Sequence, residues 1–369
     1  MFKVLFTYLP YAFALLLIPL FVLPSRIRTR AQAIWCMALL FCASKFVCFA
    51  AFGGDAFAPE MPEKVIWFWN WAYSGMCLLI PLSAMWLLVT LGKRPRLGLY
   101  LLPLMAWSMA FKGIYNGVRV PDVEEVEIVS ENVPEELDGY RILQLSDLHA
   151  SAAARRGRTE AVVAKANAVG ADLIVVTGDL VDGDPGRQAR NLEPIRELAA
   201  KDGVFHCSGN HEYYFDRPAW QRIYDSWGVR FLSNEWVSPH AGLVVAGVPD
   251  GACERFGEPD PDVNRAFADC PEGTFRVLIQ HRPYVNWNEY GLTKSVRYDL
   301  QLSGHTHGGI APLLNRLVKS YNGGLLRGLT EADGCRVYIS RGTGQWAGFP
   351  IRFLDDPEIT LLTLKRKKF

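Results

Sequence analysis

The chain is predicted to be an α/β domain preceded by an all-α transmembrane region of about four helices. Three observations carry that prediction. Uncharged stretches crowd the first third of the sequence, short β-rich runs alternate with helical patterns from about residue 120 onward, and an acidic, proline-containing segment separates the two textures. The expected division is 1–118 for a transmembrane anchor region, 119–137 for a linker and 138–369 for the α/β domain.

The apolar region comes first. Of 369 residues, 50% are hydrophobic and only 21% are charged, which is high for a purely soluble protein. Residues 4 to 24 hold no charge, 31 to 52 hold only Lys45, 65 to 92 hold none, and 97 to 118 stay uncharged as far as Lys112. Each is near the roughly 20 residues that cross a bilayer as a helix, with Pro10, Pro19, Pro81 and Pro103 marking kinks or helix ends. The first stretch is longer than the apolar core of a cleaved signal, about 7 to 15 residues, and no small-residue cleavage site comes after it. It reads as an uncleaved anchor, and Lys45 has enough stem to snorkel.

A formal net charge of +1 with no dominant basic stripe argues against nucleic acid as a partner. The run Lys365-Arg366-Lys367-Lys368 reads as solvated, with anionic headgroups as the competing reading. Cys36, Cys42, Cys48 and Cys77 fall in apolar stretches without C-x-x-C spacing, and Cys207 in a strand, so they read as buried small hydrophobes. Cys253 and Cys270 lie in a polar segment where a disulfide stays open.

In the α/β half the candidate strands are 140–145, 172–177, 204–207, 243–248, 275–280, 298–302, 336–339 and 358–364, with helical patterns at 159–168 and 188–199. The loops that leave these strands carry the chemistry. The run S-D-L-H (Asp147, His149) comes after the first, G-D-L-V-D-G (Asp179, Asp182) after the second, S-G-N-H-E (Asn210, His211, Glu212) after the third and H-R-P (His281) after the fifth. After the sixth comes L-S-G-H-T-H-G-G, whose His305 and His307 share one side of an extended backbone. Singly, D-x-H is a turn cap in most proteins, G-D a common turn and G-N-H an Asx-turn. In this order, each after a strand, they converge on the end of a sheet where α/β folds build their sites. Carboxylate, amide oxygen and imidazole donors without thiolate suit borderline divalent ions such as Mn, Fe or Zn. The donors are too many for one tetrahedral ion and suit two divalent metal ions sharing a carboxylate, a pair that clamps the oxygens of a displacement at phosphorus.

This five-part pattern resembles that of the calcineurin-like metallophosphoesterase superfamily, D-x-H, G-D, G-N-H, H and G-H-x-H, over roughly residues 138 to 366. Its first and last blocks look most like the bacterial branch of membrane-associated phosphodiesterases and UDP-2,3-diacylglucosamine hydrolases. The resemblance implies a sandwich of two mixed β-sheets flanked by helices. It implies that Asp147, His149 and His307 hold one metal, that Asn210, His281 and His305 hold the other, and that Asp179 bridges them. His211 would be the catalytic imidazole. Asp182 lies outside the pattern and reads as a loop cap. Tyr213, Arg282 and Arg341 are candidate phosphate or headgroup contacts, with ordinary surface residues as the competing reading.

The expected function is therefore a membrane-anchored two-metal phosphoesterase acting on a phosphodiester or pyrophosphate of a lipid or envelope molecule. Its expected partners are the lipid bilayer and a phosphorylated lipid or envelope substrate. Two readings compete with it: a UDP-2,3-diacylglucosamine pyrophosphatase, and a membrane sensor or transporter with a non-catalytic module. The expected location is a bacterial inner membrane, crossed several times. Basic residues cluster after the first stretch (Arg26, Arg28, Arg30) and after the third (Lys93, Arg94, Arg96), so four crossings place both loops in the cytoplasm and the catalytic domain outside it. If residues 97–118 lie along the interface, the domain is cytoplasmic and the UDP-sugar reading returns.

Overall fold

The computed structural model describes residues 11, 12, 14, 29–90, 98–284, 287–290, 295–309, 312–332, 334–348, 352–353 and 355–367. They form two compact units, one of Met1–Val118 with Ala347–Phe353 and the other of Arg119–Trp346 with Leu354–Phe369.

In the first unit, helices α1 (Thr29–Ala43), α2 (Lys45–Phe52), α3 (Glu63–Val89) and α4 (Gly98–Val118) match the apolar stretches. The expected crossing at 4–24 lies almost wholly outside the described residues. The expected crossing at 31–52 is divided at Ser44, whose hydroxyl donates to the Phe41 carbonyl at 2.7 Å and competes with the helical ladder there. Among the described residues, α3 alone is long and apolar enough to cross a membrane. The described residues therefore display one such helix where about four crossings are expected. Lys45 does not snorkel: it is fully buried, donates from Nζ to the Gly348 carbonyl at 2.5 Å and lies over the Phe46 and Tyr73 rings at 4.4 and 4.7 Å.

The second unit holds two six-stranded mixed sheets. The strands are β1 (Asp122–Ser130), β2 (Arg141–Leu145), β3 (Leu173–Thr177), β4 (Val204–Cys207), β5 (Arg230–Phe231), β6 (Glu235–His240), β7 (Leu243–Gly247), β8 (Phe275–Ile279), β9 (Leu300–Ser303), β10 (Gly328–Ala332), β11 (Cys335–Ile339) and β12 (Glu358–Arg366). The orders are β1-β12-β2-β3-β4-β5 and β10-β11-β9-β8-β7-β6. Strands β2, β3 and β4 run parallel, as do β7, β8 and β9, so their carboxyl ends gather on one edge of each sheet. The expected linker is not free chain. Residues 122–130 pair with β12 in parallel register, and the acidic outer positions of DVEEVEIVS fit an edge strand facing water.

Alternation along the strands builds the layers. Ile142 of β2 enters the core between the sheets with Leu173, Phe205, Val277 and Leu302. Its neighbours Leu143 and Leu145 face the other way, onto Val162 and Val163 of α5 (Arg156–Val169) and onto Trp220 of α8 (Arg217–Ser226). Both faces are thus covered, which is why these strands read as continuous apolar runs. The helical pattern expected through residue 199 stops earlier: α6 (Pro185–Leu192) gives way to a 3-10 turn at Glu193–Glu197, because Pro194 cannot extend an α-helix. Asn210–Tyr214 forms the short helix α7, and Val263–Ala266 and Pro312–Tyr321 form α9 and α10. Cys253 and Cys270 form no disulfide with each other.

Candidate metal centre

The loops leaving β2, β3, β4, β8 and β9 bring the predicted donors together at the carboxyl ends of the strands. Asp147, His149 and His307 form one group with ligand atoms within 4.8 Å of one another; Asp179, His281 and His305 form a second; His149, Asp179 and His211 link them. Within these groups His307 Nε2 lies 3.3 Å from His149 Nε2 and 3.5 Å from Asp147 Oδ1. His281 Nε2 lies 3.1 Å from Asp179 Oδ2 and 3.2 Å from His305 Nδ1. Asp179 Oδ2 is also 3.9 Å from both His149 Nε2 and His211 Nε2, which puts one carboxylate oxygen among three imidazoles.

The backbone bends sharply to achieve this. Asp147, His149, Asp179, His305 and His307 all have positive φ, between 47° and 70°, a region that non-glycine residues seldom occupy. Such strain persists where surrounding structure enforces it, and it clusters at functional sites. Two glycines let the loops close: a Cβ on Gly209 would lie 2.1 Å from Asp179 Oδ1, and one on Gly304 would lie 1.9 Å from Ser146 Oγ.

The donor chemistry fits divalent cations. The Thr177 carbonyl can only accept, so at 2.8 Å it fixes the proton of His281 on Nδ1 and leaves Nε2 as a lone pair facing the Asp179 carboxylate. Two acceptors at 3.1 Å repel unless a proton or a cation stands between them. Burial disfavours charge on His281, yet Asp179 and Asp147 raise its pKa to about 10, so the pocket draws in positive charge. His149 repeats the arrangement, its Nδ1 bonded at 2.8 Å to Asp182 and its Nε2 turned to His307. Asn210 Oδ1 is buried with no hydrogen-bond partner among the described residues, as a ligand atom would be.

His211 sits beside the donors, with its backbone N–H donating to Asp179 Oδ1 at 2.8 Å and its Nδ1 bonded to Asp182 Oδ1 at 2.6 Å. Burial lowers its basicity, but Asp179 and Asp182 outweigh that and raise its pKa to about 9. Asp182 itself is fully buried. Burial works against its charge, but His149 and His211 hold its carboxyl well below the usual carboxylate range. Its part is larger than that of a loop cap: one carboxylate oxygen serves both a candidate ligand and the neighbouring imidazole. Glu212, to which the S-G-N-H-E motif alone assigns no role, accepts from the backbone N–H groups of Asp179 (3.0 Å), Leu180 (2.7 Å) and Gly209 (2.7 Å), tying two metal loops together. The one signal for these two acids is position, three residues after Asp179 and one after His211.

Of the three expected headgroup contacts, Arg282 directly follows the donor His281 and its charge bears on His305, and the Arg341 stem packs at Gly308 beside His307, whereas Tyr213 turns away. Tyr213 is buried, with its hydroxyl 3.4 Å from Ser208 Oγ and its ring packed with Ala252 and Cys253, because α7 turns that side inward. Arg341 is ion-paired to Glu358 and Glu124, and Arg282 to Asp250 at 2.9 Å, so carboxylates already neutralise both.

Residues 140–309 match the family model described as calcineurin-like phosphoesterase. An uncharacterized metallophosphoesterase of Helicobacter pylori (strain ATCC 700392 / 26695) is 31% identical over 275 residues, covering 74% of this chain and 70% of that protein. The chain belongs to the calcineurin-like metallophosphoesterases. A "transmembrane protein with metallophosphoesterase domain" of Danio rerio is 30% identical over 270 residues, 70% of this chain, and the match spans 60% of that relative's length. Among solved structures, a dimetal phosphatase from Danio rerio superposes with a TM-score of 0.35 and 13% identity, over 56% of this chain and 88% of that one. For a metallophosphoesterase, the donor groups built on Asp147, Asp179 and their histidines are the candidate metal centre.

Proposed function

We propose that this metallophosphoesterase is a membrane-anchored, two-metal phosphodiesterase whose substrate is a phosphorylated lipid or envelope molecule. The observation that carries the reading is the pair of donor groups joined through Asp179, with a buried Asn210 oxygen that has no hydrogen-bond partner among the described residues one position before His211. Asp147, His149 and His307 would hold one ion, Asn210, His281 and His305 the other, and Asp179 both. When bound, Mn, Fe or Zn ions supply charge neutralisation at the phosphoryl oxygens and acidify a water molecule. The protein's own residues do the rest. Asp182 fixes His211 through Nδ1, so Nε2 faces the donors and can hand a proton to the departing oxygen. Glu212 keeps the Asp179 and Asn210 loops in register.

Two observations support the membrane part: the apolar helix α3 and the transmembrane protein among the relatives. The basic loops favour a catalytic domain outside the cytoplasm of a bacterium, which turns the reading toward envelope lipids and away from a UDP-sugar. The test is turnover of bis(p-nitrophenyl) phosphate by the full-length protein in detergent, with Mn, Fe or Zn supplied after chelation and metal content measured on the same sample. Retention of about two equivalents with restored turnover is expected. A preparation that binds metal and hydrolyses no phosphate ester would overturn the proposal.

A further inference from the structure

The rings around His211 constrain the leaving group. Because Asp182 holds Nδ1, only Nε2 is available to the departing oxygen, and the carbon attached to that oxygen must lie beside the imidazole. The His211 ring is bordered by Tyr214, centroid to centroid 5.5 Å, and by Phe215 and Trp346, each at 6.1 Å. Tyr214 closes the short helix α7 and is 47% exposed, a large ring left open to solvent at the edge of a polar centre. Trp346 is held there by its own loop. Thr343 and Gly344 donate backbone N–H groups to the Ser146 and Asp147 carbonyls at 2.6 and 2.8 Å, and a Cβ on Gly344 would lie 2.0 Å from the Leu148 carbonyl oxygen. The Trp346 loop is thus packed against the D-L-H loop as tightly as a glycine permits.

We infer that the leaving-group side of the centre takes an apolar alcohol, seated against Tyr214 and Trp346, so that the lipid alcohol is the group released. This rests on the phosphodiesterase reading and deepens it by assigning sides to the substrate. In the step, the oxygen of a water molecule forms a bond to phosphorus as the bond from phosphorus to the lipid alcohol oxygen breaks. The proton of His211 Nε2 goes to that oxygen, and the proton lost by the water restores the imidazole. The products are the free alcohol and a phosphomonoester of the other substituent.

The experiment gives the full-length protein methyl octyl phosphate, whose two alkoxides are of closely similar basicity, and measures the octanol and methanol released by chromatography. Bis(p-nitrophenyl) phosphate is run in parallel. Octanol should exceed methanol by about 10-fold or more, the scale that apolar pockets reach for added methylenes. Tyr214→Ala and Trp346→Ala should bring the ratio toward unity, and a product ratio does not depend on how much of a variant is folded. Excess methanol, equal release, no hydrolysis of this ester beside turnover of the chromogenic one, or a ratio unmoved by both substitutions would each overturn the inference. Failure on the chromogenic ester as well would instead remove the phosphodiesterase reading beneath it.

Discussion

Replacing Asp182 by asparagine tests how much of the centre is set by a residue outside the candidate ligand set. The amide matches the carboxylate in shape and can still accept a hydrogen bond, but it carries no charge, and its NH2 group cannot accept from an imidazole N–H. In the native protein one Asp182 oxygen meets His149 Nδ1 at 2.8 Å and His211 Nδ1 at 2.6 Å. Hydrogen bonds to a charged group contribute about 1.5–3 kcal/mol against about 0.5–1.5 for neutral ones, so the substitution forfeits on the order of 1 kcal/mol at each imidazole. On the His149 side the loss appears as metal affinity, weakened about 10- to 100-fold as for other residues that orient a ligand histidine. On the His211 side it appears in kcat. A lost charge alone gives about 10-fold, and a wrong tautomer of the kind seen in serine-protease triads gives up to about 10⁴-fold. The assay is a manganese titration of Asp182→Asn and wild type, each carried to saturation, so that affinity and kcat separate. Wild-type values for both would show that Asp182 only shapes its loop, and its roles at His149 and His211 would fall.

Three further outcomes are expected. Asp179→Ala should lose turnover and metal at both sites, whereas His307→Ala should lose turnover with metal depleted at one site, roughly 10²-fold or more in affinity; metal analysis showing equal losses in the two variants would contradict the bridging role. His206, buried between Tyr224 and Phe231 with both ring nitrogens unbonded among the described residues, has its pKa lowered by burial and then by Arg217 to about 3, so the folded protein binds fewer protons than the unfolded chain below about pH 6.5. Its contribution is fully present above that pH and declines as the pH falls toward 3, costing about 2 kcal/mol by pH 5, and His206→Phe should flatten this part of the urea-midpoint profile; an unchanged slope would refute it. Alkaline phosphatase fused after residue 120 should be active and green fluorescent protein at the same point dark, and the reverse pair would return the catalytic domain to the cytoplasm.

The parts of this protein that the sequence displays are those whose physics is local. Strands β2, β3 and β4 are covered on both faces, so their apolar runs stand out, and the donors come within a few residues of them because the parallel strands end together. Strands β1, β6 and β10 escape the sequence pattern: each lies at or near a sheet edge, where partly exposed polar positions erase the alternation that marks a strand. Asp182 is hidden for a related reason. A carboxylate three residues beyond G-D looks like any loop acid, and only the fold reveals that one oxygen spans His149 and His211, residues that stand 62 positions apart in the chain. Glu212 and Trp346 share that character, since their roles lie in long-range contacts with backbone groups and rings that no short motif encodes. A ligand set is therefore legible because each donor is announced by the strand before it, whereas the residues that fix tautomers, hold loops in register and border the leaving group are defined by what they meet across the fold. The positive φ values bring the two together: five candidate ligands occupy a region that local sequence disfavours, and the hydrogen bonds of Asp182, Glu212 and Thr177 stand among the longer-range contacts able to keep them there.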